Sequence, residues 1–380
     1  MHTVAHELAR RGHDVTVCTT DVCDADTRSP RCDSFAALWR SVPPAHTSDG
    51  VHVRVFRNLS NRLAYRLQFY SPIGFQRYMS VQASAFDLAH LHACRNLPGV
   101  IAASHLRHAG VPYVLTPNGT APRIERRRLA KRLFDALGGR RVFTGAARLL
   151  AVTNVEARQL HTLGADESSI RIVPNPIDLQ EFAALPERGA FRRRYGLGAA
   201  PMVLFLGKLT PRKRLDVVVR AFHALADNDA RLVIAGNDMG AGEAAAALVR
   251  ELGLQPRTTF TGLLRDRERV EALTDADVLV YPSQDEIFGL AAAEALLCGT
   301  PVVVADDSGC GEIVRAAGGG AVIPVGDVDA CAQAIRRALA SPVESRAAAA
   351  SAAARIRLAY GARTVVTGLE NVYRELVSCN

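Results

Sequence analysis

The sequence predicts an α/β protein built from two doubly wound domains, each with a parallel sheet. The chain has 380 residues, which is too long for one ordinary hydrophobic core. Short β-rich runs alternate with helical patterns along its whole length, as they do where helical crossovers join parallel strands. The periodicity lapses around "NPIDLQEFAALPERGAF", and this places a domain boundary near residue 185.

Short apolar segments between the helical patterns have the length and composition of buried strands. In the first domain, expected at 1–185, they are 14–19, 51–56, 88–91, 113–116, 149–152 and 170–173. In the second domain, expected at 186–358, they are 202–206, 231–235, 258–261, 277–281, 302–305 and 321–324. The remaining residues, 359–380, include an amphipathic pattern that predicts a last helix.

Composition favours a globular protein without a membrane span. Hydrophobic residues make up 48% of the chain, and no run of about 18 apolar residues occurs. The first residues, "MHTVAHELARRGHDV", resemble no signal peptide, so we expect a cytoplasmic protein. The eight cysteines form no C-x-x-C pair, which argues against a zinc site or a disulfide framework.

The net charge of +8 comes from arginine, which supplies 43 of the 46 basic residues. A dense basic cluster, "RIERRRLAKRLF", occupies residues 123–134. Nucleic acid is disfavoured because no aromatic stacking residues interleave with the cluster. An anionic membrane surface is the better hypothesis, since a helix here would carry arginine on one side and apolar residues near the other. A solvated basic face is the remaining alternative.

The segment "EIFGLAAAEALLCGTPVV" places Glu286 in a loop after a strand and Glu294 inside an Ala/Leu-rich helix. The turn Phe288, Gly289 and Leu290 lies where that helix starts, so its backbone amides are free to bind an anion. Ionised carboxylates accept hydrogen bonds from hydroxyl groups. Phosphate and hydroxyl groups together indicate a sugar nucleotide, although two solvated surface glutamates are an alternative.

The segment "LFLGKLTPRKRLDVVVRAF" contains a second candidate anion site. It reads as a strand, a turn at Gly207, a basic loop and a helix that starts near Pro211. Lys208 and Lys213 are two of only three lysines in the chain. A compact ammonium group at a helix start can bind a phosphate, and two such groups can bracket a diphosphate. The alternative is a basic helix start on the surface.

These two segments, in this order, resemble the donor-site motifs of the retaining glycosyltransferases of family 4, which have the GT-B fold. Similar segments extend over nearly the whole chain: "GHDVTVCTTD", "DLAHLH", "LTPNGT", "IVPNPID", "SGCGEIV" and "VIPVGDVDACAQAI". The resemblance implies two Rossmann-like domains that face each other across a cleft. It also implies that a sugar passes from a nucleoside diphosphate sugar to an acceptor hydroxyl, without a cofactor or a metal.

Site roles follow from the resemblance by position. Lys208 and Lys213, with the Gly207 turn, would hold the donor diphosphate. Glu294 would accept from the ribose hydroxyls, and Glu286 would meet the transferred sugar beside the amides of the Phe-Gly-Leu turn. His92 would face the donor sugar and the acceptor from the first domain.

Three further details accompany this assignment. His90 is expected on the opposite face of the strand from His92, so the His-x-His pair is not expected to bind a metal. Pro176 stands where the family usually has glycine, which alters the turn after Asn175. Cys310 stands where a glycine is common, near the donor.

The acceptor is the least defined partner. The basic first domain favours a lipid-linked acceptor of surface polysaccharide or glycolipid assembly, with peripheral binding to the inner membrane face. A soluble small-molecule acceptor and a non-catalytic partner that binds nucleotide sugar remain open. A dinucleotide oxidoreductase is a third option, which we set aside because no G-x-G-x-x-G follows a strand with an acidic residue about 20 positions on.

The resemblance also carries expectations about the two ends of the chain. The last helix, in 359–380, would return to the first domain. Members of the family begin with a strand and a Gly-rich turn, whereas this chain begins inside the helix that follows them. We therefore expect an open slot between the strands at 14–19 and 88–91. We also expect that Met1 is internal to a longer protein and that the chain as written is poorly folded or inactive, unless it is a shortened non-catalytic relative.

Overall fold

The structure is a computed structural model that describes residues 2–21, 45–67, 69–122, 132–225 and 229–377. The chain forms two compact units. Unit 1 comprises Met1–Pro176 together with Val365–Asn380, and unit 2 comprises Ile177–Thr364. Both units contain parallel sheets with helices between the strands, so the predicted α/β class is confirmed.

Unit 1 has seven strands among the described residues: β1 (Val15–Thr20), β2 (Ala45–Ser48), β3 (Val51–Phe56), β4 (Ala89–His92), β5 (Tyr113–Thr116), β6 (Arg148–Ala151) and β7 (Ile170–Ile172). Its helices are α1 (His2–Arg10), α2 (Asn61–Leu67), α3 (Phe75–Gln82), α4 (Leu97–His108), α5 (Arg140–Thr144), α6 (Asn154–Thr162) and the last helix of the chain. Two caps show why the helices begin where they do, since Asn96 and Thr153 each accept a hydrogen bond from a first-turn amide of α4 and α6.

The strands of unit 1 form two separate sheets rather than one. The first has the order β1-β3-β2, with β2 antiparallel to β3, and the second has the parallel order β4-β5-β6-β7. Within the described residues, β1 and β4 each pair on one side only. Both of these strands are half-buried, whereas β5 in the middle of its sheet is fully buried.

One core cluster in unit 1 packs the helices α3 and α4 against the sheets through residues such as Phe56, Leu106 and Tyr113. A second cluster joins Leu369 and Val372 of the last helix, α15 (Ala362–Val377), to the strands β5 and β6. Fully burying a leucine or valine side chain stabilises a fold by roughly 1.5 to 3 kcal/mol, so α15 is an integral part of unit 1. The ion pair between Arg11 and Glu370, 2.8 Å long, also ties α15 to α1.

Unit 2 has one parallel six-stranded sheet with the order β10-β9-β8-β11-β12-β13. Its strands are β8 (Met202–Leu206), β9 (Arg231–Ala235), β10 (Thr258–Gly262), β11 (Val278–Tyr281), β12 (Val302–Ala305) and β13 (Gly320–Ile323). Its helices are α7 (Ala190–Tyr195), α8 (Leu215–Ala224), α9 (Gly242–Glu251), α10 (Asp266–Asp275), α11 (Leu290–Leu297), α12 (Gly309–Ala317), α13 (Val328–Ala340) and α14 (Pro342–Tyr360). The strands β8, β11 and β12 are completely buried, as strands covered by helices on both faces must be.

All twelve strands predicted from the sequence are present within two residues of their predicted ends. The strand β2 was not predicted. The helix expected to start near Pro211 begins at Leu215 instead, because Pro211–Lys213 forms a 3-10 turn and Arg214 then takes a left-handed conformation with φ of 52°. The expected boundary near residue 185 falls inside unit 2.

Most of the basic cluster at 123–134 lies outside the described residues. Within the described part of the chain, no helix combines the length and hydropathy needed to cross a bilayer.

Candidate functional site

The carboxyl end of β11 in unit 2 carries a compact cluster of Lys213, Tyr281, Ser283 and Glu286. The Lys213 ammonium contacts both the Tyr281 hydroxyl and the Glu286 carboxylate. The Glu286 carboxylate also accepts hydrogen bonds from the hydroxyls of Tyr281, at 2.9 Å, and Ser283, at 3.2 Å. Tyr281 and Ser283 are positioned by the end of the buried strand, and Lys213 is positioned by the 3-10 turn before α8.

The electrostatics of this cluster keep Glu286 charged. Burial favours the neutral form of the carboxyl, but the adjacent Lys213 ammonium outweighs it, and the pKa of Glu286 lies below its ordinary value. Lys213 is only 8% exposed, and its ammonium lies 4.5 Å from the centre of the Tyr281 ring. Burial and the neighbouring Glu286 charge raise the pKa of Tyr281 well above its ordinary value, so its hydroxyl remains a donor.

The second predicted lysine, Lys208, differs from Lys213 because its side chain is exposed rather than buried. The Lys208 side chain is exposed at the turn after β8. The carbonyl group of Gly207 in this turn lies directly against Gly236, whose φ is 151°. A Cβ atom on Gly236 would come within 2.7 Å of the Gly207 carbonyl carbon, so only glycine fits there.

The third predicted feature, the start of α11, has the expected geometry. Gly289 caps the helix in the left-handed conformation, with φ of 77°, and Phe288 is buried against Tyr360. Leu290 is 44% exposed. The amides of this turn donate to no acceptor within the described ranges, so they are free to bind an anion.

Gly289 also packs against Cys310 at the start of α12. A Cβ atom on Gly289 would lie 2.7 Å from the Cys310 Cβ atom. The Cys310 side chain, which stands where the family commonly has glycine, therefore fills the space beside the turn. Burial raises the pKa of the Cys310 thiol, which stays protonated.

We expect that Gly289→Ala lowers the free energy of unfolding of unit 2 by about 1 to 3 kcal/mol, because alanine is strained at this φ and collides with Cys310. Adding Cys310→Gly should recover part of the loss, since it removes the collision and leaves the strain. Thermal unfolding midpoints of the two single variants and the double variant test this. A double variant that loses as much relative to Cys310→Gly as Gly289→Ala loses relative to wild type would show that the collision is unimportant.

Glu294 lies in the middle of α11 and does not contact the Lys213 cluster. Its carboxylate pairs with Arg269 of α10, and Arg269 also pairs with Glu181. Burial raises the pKa of Glu294, and Arg269 counteracts this only in part. The sequence does not predict that Arg269 and Glu181 meet Glu294.

The prediction for His90 and His92 in unit 1 was wrong in one respect. Residues two apart on a strand share a face, and the two rings are in fact stacked, with centroids 4.2 Å apart. The nitrogens of His90 hydrogen-bond the hydroxyls of Tyr373, at 2.7 Å, and Thr116, at 2.6 Å. The two side chains do not diverge, so the reason for not expecting a metal at this pair does not hold. In the parts of the chain that the structure describes, no three His, Cys, Asp or Glu residues are grouped as metal ligands.

Burial holds both histidines neutral near pH 7. It lowers the pKa of His92 to about 4 and that of His90 well below its usual range. The unfolded chain takes up these protons near pH 6.5, whereas the folded chain resists them. The stability of unit 1 should therefore fall as the pH drops from about 6.5 to about 4.

A comparison of unfolding midpoints at several pH values between wild type and His92→Gln tests this expectation. The variant should lose less stability over that pH window, by up to about 1.4 kcal/mol per pH unit. Parallel curves for the two proteins would contradict it.

Sequence reasoning also missed Glu156, which is fully buried at the start of α6. Its carboxylate accepts the backbone amides of Gly119, at 2.6 Å, and Val152, at 2.9 Å, and so fixes the loop that follows β5. Burial raises its pKa. A glutamate three residues after a capping threonine was the available signal, but that pattern suggests an ordinary capping box.

Two family models match the chain. "Glycosyl transferase 4-like domain" matches residues 1–176, and "Glycosyl transferases group 1" matches residues 188–356. In solved structures, the chain is similar to sucrose-phosphate synthase from Thermosynechococcus elongatus, with a TM-score of 0.77, 22% identity, and coverage of 100% of this chain and 92% of that one. It is also similar to Anabaena HepE in complex with UDP and glucose, with a TM-score of 0.76, 17% identity, and coverage of 97% and 93%.

Curated relatives include D-inositol 3-phosphate glycosyltransferases from several organisms, among them Mycolicibacterium gilvum and Kineococcus radiotolerans. That of Mycolicibacterium gilvum is 32% identical over 375 residues, which are 95% of this chain and 81% of the relative. That of Kineococcus radiotolerans is 36% identical over 262 residues, which are 63% of this chain and 60% of the relative, so the match spans less than two thirds of that protein. The chain therefore belongs to family 4 of the glycosyltransferases and has the GT-B fold.

Proposed function

We propose that the protein is a retaining glycosyltransferase that moves a sugar from a nucleoside diphosphate sugar to an acceptor hydroxyl. The observation that carries this proposal is the Lys213 and Glu286 cluster beside the free amides at the start of α11. A cation and a helix N-terminus together suit a diphosphate, and a charged carboxylate suits sugar hydroxyls. Solved relatives in complex with UDP support a nucleotide donor.

The chain's own residues would act chiefly by position and charge. Lys208, Lys213 and the amides of the turn would stabilise the charge that develops on the leaving diphosphate. Glu286 would accept hydroxyls of the transferred sugar, and Glu294 would accept ribose hydroxyls. Neutral His92, in unit 1, would accept or donate a hydrogen bond near the acceptor. None of these roles requires a bound cofactor or metal ion.

For the acceptor we propose a hydroxyl of a small phosphorylated cyclitol, in keeping with the names of the curated relatives. A lipid-linked acceptor of cell-surface polysaccharide or glycolipid assembly is the second candidate. The arginine-rich segment at 123–134 favours it, because such a segment attracts an anionic membrane surface. A protein that served this acceptor would bind the membrane peripherally.

A donor screen tests the proposed function. The full chain is incubated with a panel of nucleoside diphosphate sugars and either inositol phosphate or membrane extract, and the released nucleoside diphosphate is measured. We expect release with at least one donor, and a product anomer that matches the donor. Glu294→Gln, which keeps the size of the side chain, should lower the rate at least about a hundredfold. Absence of turnover together with absence of nucleotide binding would exclude the proposal.

A further inference from the structure

Arg269 is a cation held between two carboxylates at the candidate ribose site of unit 2. It projects from α10, and its two terminal nitrogens contact Glu294 and Glu181 separately. Glu181 belongs to the 3-10 turn Leu179–Phe182, and the Arg269 guanidinium lies 5.8 Å from the centre of the Phe182 ring. The guanidinium is therefore held by the two carboxylates and also lies over the Phe182 ring.

The pairing leaves Glu294 able to bind a ligand. Arg269 contacts only the Oε2 atom of Glu294, and Oε1 has no partner within the described ranges. The Glu294 side chain is 17% exposed and that of Arg269 is 20% exposed, so water screens their interaction weakly. One oxygen is thus held by the cation while the other is open to accept hydrogen bonds.

Other titratable groups around Glu294 do not replace this cation. Burial raises the pKa of the Cys298 thiol, at the end of α11, to about 12, so that thiol is neutral. Arg357 of α14 interacts with the same thiol, and its guanidinium donates to the Phe182 carbonyl. Arg269 is accordingly the positive group that directly contacts Glu294 in the described structure.

We propose that Arg269, clamped by Glu181, is a positioning residue that aims the Glu294 carboxylate at the ribose, and so makes the site select ribonucleoside over 2′-deoxyribonucleoside diphosphate donors. The inference rests on the proposed function, which assigns the ribose to Glu294. A site built to bond a hydroxyl rejects the analogue that lacks it, because a buried acceptor is then left unpaired. An acceptor that is free to turn away loses that selectivity.

Binding measurements with nucleotides alone separate this inference from the proposed function. Calorimetry first establishes which of UDP, GDP and ADP the full chain binds, and then measures the 2′-deoxy form of the same nucleotide. We expect the deoxy form to bind at least about tenfold more weakly to wild type. If none of the three binds and the donor screen also shows no turnover, the proposed function fails; where the screen identifies another nucleotide, that nucleotide and its deoxy form are compared instead. If one binds and its deoxy form binds equally well, only the present inference fails.

The decisive variant is Arg269→Met, and Arg267→Met is its matched control. Arg267 lies on the same helix, is 71% exposed at its side chain and contacts only Glu271 at 3.7 Å among the described residues. We expect Arg269→Met to reduce the tenfold preference to about twofold or less, whereas the control keeps it. Retention of the full preference in Arg269→Met would overturn the inference.

A dependence on pH distinguishes positioning from a general loss of structure. Without Arg269, burial of Glu294 is no longer opposed, so protonation should weaken ribonucleotide binding at a higher pH than in wild type. Arg269→Lys retains a cation and should restore much of the preference. Should Arg269→Met fail to fold, Glu181→Gln decides the matter, since Glu181 is half exposed. A several-fold smaller preference in Glu181→Gln supports the inference, and an unchanged preference overturns it.

Discussion

Lys213→Met is expected to lower turnover at least about a hundredfold, which is the usual loss when a preorganised charge is removed from a transition-state site. Methionine fills the space of the buried lysine stem but cannot contact the Glu286 carboxylate or a diphosphate. The initial rate of nucleoside diphosphate release, with the donor found in the screen, measures the effect.

A double variant separates the catalytic role of Lys213 from its structural role. The single change leaves Glu286 largely buried without its cation, which should cost about 1 to 3 kcal/mol of stability. In Lys213→Met with Glu286→Gln both charges are gone, so stability should recover, while turnover should lie well below that of Glu286→Gln alone because the diphosphate still lacks its cation. Equal turnover in the double variant and in Glu286→Gln would mean that Lys213 serves only as the counter-ion of Glu286.

Gly236→Ala is expected to lower the unfolding free energy of unit 2 by about 3 kcal/mol, within the range known for collisions in a packed core. The added methyl group would press on the Gly207 carbonyl and displace the turn that carries Lys208. For a unit of this size the thermal midpoint should fall by roughly 6 °C or more. Activity should fall with it, since the turn forms part of the candidate donor site.

Gly253→Ala is the control for this variant. Gly253 also has a positive φ, of 66°, but a Cβ atom there would meet nothing within 4 Å. The φ of Gly253 lies in the ordinary left-handed region and that of Gly236 does not, so this control reports a smaller backbone strain without any collision. Equal midpoints for the two variants would contradict the proposed collision at Gly236.

The strands of both units could be predicted because their apolar, β-branched runs reflect burial that is local to each strand. The strand β2 could not, because "AHTS" has no apolar run and, among the described strands, pairs with β3 alone. The strand period of two places His90 and His92 on the same face, so the expectation that they lie on opposite faces was an error of reasoning rather than a limit of the sequence. The 3-10 turn at Pro211 could not be predicted, because it ends at Arg214 in a left-handed conformation, which an arginine in the sequence does not indicate.

Residues of the candidate site could be proposed from the sequence, but their contacts could not. Glu286, Glu294 and Lys213 were recognisable from their positions in two motifs. Their partners come from distant segments, since Lys213 and Glu286 are 73 positions apart and Arg269 and Glu181 are 88 apart. Such ion pairs depend on how the elements pack in three dimensions, which composition and periodicity do not specify.

The division of the unit 1 strands into two sheets has a consequence for hydrogen exchange. Successive amides of a strand point to opposite sides, so alternate amides of β1 and β4 donate to a neighbouring strand while the others point to an edge that no described strand covers. Exchange along these two strands should therefore alternate between slow and fast, whereas β5, paired on both sides, should be slow throughout. A strand edge without a neighbour is also a template on which a second chain can pair, and among the described strands β1 and β4 share that property with the other sheet-end strands, β2, β7, β10 and β13.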